Sequence, residues 1–202
     1  MDDRHQPLIP DLPDPYELFR WWFAEAKARE PDLAEAMGLA TATPDGRPSL
    51  RMVLLKDVSP EGFVFYTNAD SRKGDEIADN PAAALLFHWK SLGRQVRIEG
   101  VLTQVSDAEA DAYWNSRPRA SQIAAWASEQ SRTLPSRGVL EGRVADFDAK
   151  FAGADVPRPV QWTGFRLAPS LIEFWHDVRD RLHERLVFHG QGADWRTTRL
   201  YP

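Results

Sequence analysis

The 202-residue chain contains no cysteine. That excludes a disulfide framework, zinc–thiolate and iron–sulfur centres, and thiol catalysis. Histidine is scarce, with five residues scattered along the chain, so a metal site has little support. No uninterrupted apolar run approaches the roughly 18 residues that span a bilayer. The start, Met1-Asp2-Asp3-Arg4-His5, lacks the basic beginning and apolar core of a signal peptide. A cytoplasmic protein without membrane contact is the expectation. Also missing are G-x-G-x-x-G, G-x-x-x-x-G-K-S/T, H-E-x-x-H and G-x-S-x-G, which removes the familiar dinucleotide, P-loop, zinc-protease and hydrolase signatures.

Apolar residues make up 43% and charged residues 27%, as in ordinary globular proteins. A chain of this length buries roughly 70% of its unfolded surface and needs no staple to hold a core. Net charge is −5, unevenly spread. Residues 1–46 carry 4 Lys/Arg against 10 Asp/Glu, whereas the remainder carries 21 against 20. A near-neutral body with local basic clusters argues against a nucleic-acid binder, which needs a broad basic face. It suits a pocket for a small anion such as a phosphate ester.

Pro7, Pro10 and Pro13 mark residues 1–13 as a loose arm, leaving 14–202 as one domain. Asp14-Pro15-Tyr16-Glu17 reads as a helix start, and Leu18, Phe19, Trp22, Phe23 and Ala26 follow at helical spacing. A second short helix is expected over 33–37. Strands are expected over 38–43 and 49–56 around Pro44-Asp45-Gly46, then over 63–67, 82–89 and 95–105, with a polar helix at 72–79. Ser106-Asp107-Ala108-Glu109 is a capping box opening a helix to Ser116. Residues 118–151 read as helical pieces, and 162–167, 172–175, 185–189 and 195–200 as closing strands. Antiparallel strands with helices between and outside them suggest an α+β domain on a closed barrel.

Chemistry concentrates in six places. Arg51-Met52-Val53-Leu54-Leu55-Lys56 is a strand with charged ends; a plain core strand is its simpler reading. Tyr66-Thr67-Asn68 leads into Ser71-Arg72-Lys73, a helix start with free N–H groups, a hydroxyl and two cations, which is how a phosphate is held. Gln95 opens a strand between Arg94 and Arg97, an exposed polar edge when taken alone. Tyr113 and Arg117, four apart, share a helical face that Ser121 continues if Pro118 only kinks the path. Gln130-Ser131 is a polar pair after an alanine-rich helix. After Trp175, alternation places Arg181, His183 and Arg185 on one side of a strand, where an exposed basic edge is the plain alternative.

The ordered set resembles the pyridoxamine/pyridoxine 5′-phosphate oxidase family. It runs Arg51–Lys56, Tyr66-Thr67-Asn68 with Ser71-Arg72-Lys73, Gln95, Ser116-Arg117-Pro118-Arg119-x-Ser121-Gln122, Gln130-Ser131, Glu173-Phe174-Trp175 and Arg181-Leu182-His183-x-Arg185. Each motif is weak and their order is strong; together they cover the chain from about Asp14 to Pro202. The resemblance implies an antiparallel split β-barrel with peripheral helices, working as a homodimer with FMN at the subunit interface. It implies that Arg51, Met52, Val53, Leu54, Lys56, Tyr66, Thr67, Arg72, Lys73, Gln95, Gln130, Ser131, Trp175 and Arg185 bind the flavin, some from the partner chain. Lys56, Tyr113, Arg117 and Ser121 would grip the substrate phosphate, and Arg181 and His183 would act catalytically against the substrate ring.

The implied reaction oxidises pyridoxamine or pyridoxine 5′-phosphate to pyridoxal 5′-phosphate, with dioxygen as acceptor and hydrogen peroxide as product. The alternatives are a related FMN-dependent oxidase of phenazine precursors and a non-catalytic binder of flavin or pyridoxal phosphate. Three departures stand out. The arm is short for the family, Glu184 replaces the usual Asp, and Trp162-Thr163-Gly164 replaces Trp-Gly-Gly.

Overall fold

The computed structural model describes residues 7–202. Helix α1 (Pro15–Arg29) begins where the cap predicts, with the Tyr16 N–H donating to Asp14 Oδ1 at 2.8 Å. Its buried face carries Leu18, Phe19, Trp22 and Ala26. Phe19 meets Phe63 edge-on at 4.9 Å and Phe87 at 5.2 Å between ring centres, so the helix packs directly on the strands. Each such ring contributes about 1.5–3 kcal/mol by leaving water.

Nine strands follow: β1 (Ala36–Ala42), β2 (Pro48–Leu54), β3 (Asp57–Ser59), β4 (Gly62–Asn68), β5 (Ala82–Trp89), β6 (Arg94–Gln104), β7 (Trp162–His176), β8 (Glu184–Gln191) and β9 (Asp194–Arg199). All pair antiparallel in the order β2-β1-β5-β6-β7-β4-β3, with β8 and β9 continuing from β7. Among the described residues no ladder joins β2 to β3. The barrel is therefore split along that seam, not closed as the strand count alone suggested. Helices α2 (Arg72–Asp79), α3 (Asp107–Ser116), α4 (Arg119–Ala127) and α5 (Arg137–Lys150) lie between the strands in sequence, and α3 carries the predicted capping box. Among the described residues no helix is long and apolar enough to cross a membrane.

The expected helix over 33–37 is not formed. Leu33 turns the chain with a left-handed backbone (φ 36°), and β1 begins at Ala36. Met37 and Leu39 are fully buried at a spacing of two, and β1 pairs along its length with β2. Ladder formation there outweighs the helix preference of a Leu-Ala-Glu-Ala-Met run. The strands expected at 162–167 and 172–175 are one, β7. It passes through Pro169 where the register with β6 shifts at Glu99/Gly100, the sort of bulge at which a sheet tolerates proline.

The loose arm was read over residues 1–13, of which 1–6 lie outside the described residues. The rest is docked. Leu8 and Ile9 N–H groups donate to the Glu184 carboxylate at 3.0 and 3.1 Å, and Ile9 is fully buried. Arg199 donates to the Ile9 carbonyl at 2.8 Å and to Asp11 at 2.7 Å.

Candidate active site

A cleft of about 950 Å³ opens along β2. Because β2 is an edge strand, residues from both of its faces reach the cleft: Arg51, Met52, Val53 and Leu54, then Lys56 just beyond. The opposite wall comes from Tyr66 and Thr67 on β4, the start of α2, the α3–α4 junction and Gln130-Ser131. Ser131 holds a left-handed backbone (φ 70°), a strained state for a residue other than glycine.

One part of the cleft is a cluster of three cations around one acid. Gly74 allows α2 to start tightly, since a Cβ there would lie 1.8 Å from the Ala69 carbonyl oxygen. Lys73 is buried and donates to Thr67 Oγ1 at 3.0 Å, Ser71 Oγ at 3.0 Å and Gln130 Oε1 at 2.7 Å. Burial pushes its ammonium down to about 8, and nearby Arg51 adds to the effect against the pull of Glu76. Arg51 donates to the Leu39 carbonyl at 3.1 Å, to Thr41 Oγ1 at 2.6 Å and to Ser49 Oγ. Glu76 is 4% exposed. It accepts from Arg51 at 3.2 Å, from Arg72 Nε at 2.9 Å, and from the hydroxyls of Thr41 and Ser49. Burial pushes the Glu76 carboxyl up, but the bonds from Ser49, Thr41 and Arg72 outweigh it and hold it at about 2.

The other part is aromatic. Tyr66 stacks on Tyr113 at 4.1 Å and on Trp162 at 5.3 Å. Gly164, opposite Tyr66 in the ladder, makes room for this: a Cβ would fall 2.7 Å from the phenol ring. The Arg117 guanidinium lies 5.1 Å from the Trp114 ring centre and 4.9 Å from that of Trp162. Its Nη1 is buried without a hydrogen-bond partner, and burial lowers its pKa. Lys56 Nζ stands 5.9 Å from the Tyr113 ring centre, and Ser121 faces the same cleft. Pro118 does not kink one helix. Arg117 ends α3 and Pro118 caps α4, because proline forbids helical backbone in the residue before it.

The structure thus gathers Arg51, Met52, Val53, Leu54, Lys56, Tyr66, Thr67, Arg72, Lys73, Tyr113, Arg117, Ser121, Gln130 and Ser131 around one cleft. Gln95, Trp175, Arg181, His183 and Arg185 do not line it. Gln95 pairs with Trp175, and Trp175 with Arg185, across β6, β7 and β8 on the face opposite the core residues Val96, Phe174 and Leu186. Arg185 is held there by Glu173 at 2.6 Å, which also binds Arg97 at 2.6 Å. The strand expected through Arg181 and His183 starts only at Glu184. Left-handed backbone at Asp180 and Arg181 makes a single tight turn instead, so alternation does not apply. His183 packs on Trp175 at 4.7 Å, and its Nδ1 lies 3.2 Å from the Val178 N–H and 3.0 Å from Asp177 Oδ1.

Sequence reasoning missed Glu76 and Ser49, and it quoted Trp162 and Ser116 within motifs without giving them a place in the site. Glu76 had a signal, four residues after Arg72 on a helix, where an acid and a base meet. Trp162 had none, since it reaches Tyr66 and Arg117 only through the β4–β7 pairing.

The donor set suits anions. A buried ammonium hydrogen-bonded only to neutral groups, and a buried guanidinium nitrogen without a partner, are costly until a negative group meets them. Two such clusters in one cleft match two phosphate-bearing ligands. A family model described as pyridoxamine 5′-phosphate oxidase matches residues 24–151, and one described as the pyridoxine 5′-phosphate oxidase C-terminal dimerisation region matches 162–202. A protein of Sphingopyxis alaskensis named pyridoxine/pyridoxamine 5′-phosphate oxidase is 61% identical over 94% of this chain and 88% of its own. One of the same name from Rhodospirillum rubrum is 59% identical over 94% and 96%. Among solved structures, PhzG from Burkholderia lata 383, determined with tetrahydrophenazine-1-carboxylic acid, superposes with a TM-score of 0.91 at 35% identity over 99% and 98% of the two chains. An FMN-binding protein of Nostoc punctiforme shares the fold, with a TM-score of 0.73 at 21% identity over 91% and 97%. From its cleft, its split barrel and these matches, the chain belongs to the pyridoxamine 5′-phosphate oxidase family.

Proposed function

We propose that the cleft holds FMN and a phosphorylated B6 vitamer side by side, and that the chain oxidises pyridoxamine or pyridoxine 5′-phosphate to pyridoxal 5′-phosphate, with dioxygen as acceptor and hydrogen peroxide as product. The observation that carries this is the pair of anion-seeking clusters, one around buried Lys73 and one around Arg117 with its unpartnered nitrogen. Arg51, Arg72 and Lys73, with Thr67, take the flavin phosphate. Met52, Val53, Leu54 and Lys56 on the open edge of β2, with Tyr66, Gln130 and Ser131, hold the rest of the flavin. Lys56, Tyr113, Arg117 and Ser121 take the substrate phosphate.

Bound FMN supplies the two-electron acceptor and returns the electrons to dioxygen. The protein supplies positioning and charge: the substrate is fixed by its phosphate, and the cations favour negative charge gathering in the cleft. Gln95, Trp175 and Arg185 complete the flavin site of a partner chain, and Arg181 and His183 contact the partner's substrate. A homodimer follows from this division. It is supported by the name of the family region over 162–202, and by Leu50, Met52 and Leu86 standing exposed on the sheet face that carries Trp175 and Arg185. The Val178 N–H and the Asp177 carboxylate both meet Nδ1, which fixes the orientation of the His183 ring and leaves Nε2 as the atom turned to a ligand. Placement, not proton abstraction, is its role. A phosphorylated substrate does not cross a bilayer unaided, and a cytoplasmic location goes with this reading.

The test is direct. The purified protein is expected to be yellow, to release FMN and not FAD, to sediment as a dimer, and to make peroxide from pyridoxine 5′-phosphate far better than from pyridoxine. Equal use of the two would remove the substrate-phosphate site. It would move the phenazine-type reading ahead, which the 35% identity to PhzG keeps in view.

A further inference from the structure

Glu76 belongs to no part of the reading above, yet its carboxylate accepts four hydrogen bonds just behind the cleft wall, two of them from the cleft residues Arg51 and Arg72. Its carboxylate is 4% exposed and receives Thr41, Ser49 and Arg51 on Oε2 and Arg72 on Oε1. Two features make this more than a buried ion pair. First, the bond from Arg72 uses Nε. The side chain is 64% exposed, and fastening it at Nε leaves the terminal fork of the guanidinium free beside the cleft, the geometry that grips two phosphate oxygens at once. Second, the charges close. Arg51, Arg72 and Lys73 carry three positive charges around one carboxylate, which leaves two, the charge of a phosphate monoester dianion.

Resting on the assignment of this cluster to the flavin phosphate, we propose that Glu76 is the positioning residue for that phosphate. It clamps Arg72 by Nε and Arg51 by Nη2, and it trims the pocket to the charge of a dianion. A lysine at position 72 cannot substitute. Its single ammonium either pairs with Glu76 or reaches the phosphate. Thr41 and Ser49 are the carboxylate's neutral supports, so it stays ionised although it is buried. Glu76 touches no ligand by this account; it acts through Arg72 and Arg51.

The experiment titrates apoprotein with FMN and, separately, with riboflavin, which has the same ring and no phosphate. In the wild type FMN binds far more tightly than riboflavin. Equal binding would overturn the flavin-phosphate assignment itself, and that outcome is distinct from failure of the proposal. Glu76→Gln keeps the shape and the hydroxyl partners. It is expected to weaken FMN by about tenfold or more, the scale of one charge-assisted hydrogen bond, and to leave riboflavin within about twofold. Arg72→Lys, at an exposed position that does not threaten folding, is expected to lose FMN to a similar degree with its charge intact. In the Arg72→Ala background, Glu76→Gln should cost much less than in the wild type, because the clamp has lost one of its two arginines. Equal weakening of both flavins by Glu76→Gln would make Glu76 a purely structural residue and overturn the proposal. So would wild-type FMN affinity in Arg72→Lys. Should Glu76→Gln fail to fold, the Arg72→Lys titration decides alone.

Discussion

The two cationic parts of the cleft hold their charge in opposite ways. Around Lys73 a carboxylate is built in, and Glu76 pairs with Arg51 and Arg72 before any ligand arrives. Beside Arg117 the Trp114 and Trp162 rings meet edge to face, each about 5 Å away, and one guanidinium nitrogen is left without a partner. Ring faces attract a cation without neutralising it, so Arg117 keeps its whole charge for the ligand. The first arrangement suits a cofactor that stays, because the pocket is organised and its charge already limited. The second suits a substrate that must come and go, because the strong contact appears only when a phosphate is present. Unsatisfied donors also penalise any vitamer that lacks the phosphate.

The largest effect should come from removing two of the first cluster's cations. Replacing Arg72 and Lys73 together by Ala is expected to weaken FMN by roughly 3–6 kcal/mol, at about 1.5–3 kcal/mol for each charged hydrogen bond. The KM for pyridoxine 5′-phosphate, measured at saturating FMN, should stay within about threefold. If KM rises as steeply as FMN affinity falls, the two parts are one site. Next comes Arg117→Ala, expected to cut kcat/KM for the phosphorylated substrate by on the order of 100-fold, with FMN titrating as in the wild type. Arg117→Lys should recover part of that loss, since it restores a point charge but not the fork. Collapse of FMN binding in either variant would mean that the two phosphates had been assigned the wrong way round.

A smaller effect separates the clusters by pH. Lys73 is held at about 8 in the free protein by burial and by Arg51. A bound dianion favours its charged form, so binding above pH 8 must take up a proton. FMN affinity should therefore be flat from about pH 7, above the phosphate's own second pKa of about 6, to pH 8, and fall by at most about tenfold per pH unit above it. Lys73→Met should flatten that profile. Substrate binding at Arg117 has no such titration, because a guanidinium stays charged throughout this range. The same lowered pKa sets the sign for stability. The free fold penalises protonated Lys73, so its stability should rise from about pH 8 towards the ordinary lysine range. The smallest change is Trp162→Phe, which keeps a ring beside Arg117 but a weaker one. About 0.5–1 kcal/mol of cation–π attraction is at stake, visible as a severalfold rise in KM with FMN untouched.

Legibility in the sequence differed between the clusters for the same kind of reason. Arg72, Lys73 and Thr67 are local to one strand-to-helix junction, and the helix start at Ser71-Arg72-Lys73 announced them. Tyr113, Arg117 and Ser121 were also readable, though their helix breaks at Pro118. Their aromatic neighbour Trp162 was not, because it lies 45 residues beyond Arg117 and arrives through the β4–β7 ladder. Glu76 could have been found from its spacing to Arg72, but nothing local said that Thr41, Ser49 and Arg51 would converge on it from another hairpin. Gln95, Trp175 and Arg185 were singled out separately, and only the register of β6, β7 and β8 shows that they form one row.

By itself the sequence determined what short-range chemistry controls: the Asp14 cap and the capping box at Ser106, the turn at Pro44-Asp45-Gly46, most strands by their alternation, and the presence of two cationic groups with hydroxyls. Those features depend on neighbours within four residues, so a linear reading reaches them. The tertiary structure decided the rest. It replaced the helix expected over 33–37 by a turn and the start of β1, because Met37 and Leu39 gain a ladder and a core there. It left the barrel split at β2, which is why one edge strand offers both faces to the cleft. It broke the alternation expected through Arg181 and His183 with left-handed backbone at Asp180 and Arg181. It also supplied Glu76 to one anion cluster and Trp162 to the other. Pairing over tens of residues makes each of those choices, and no local pattern records it.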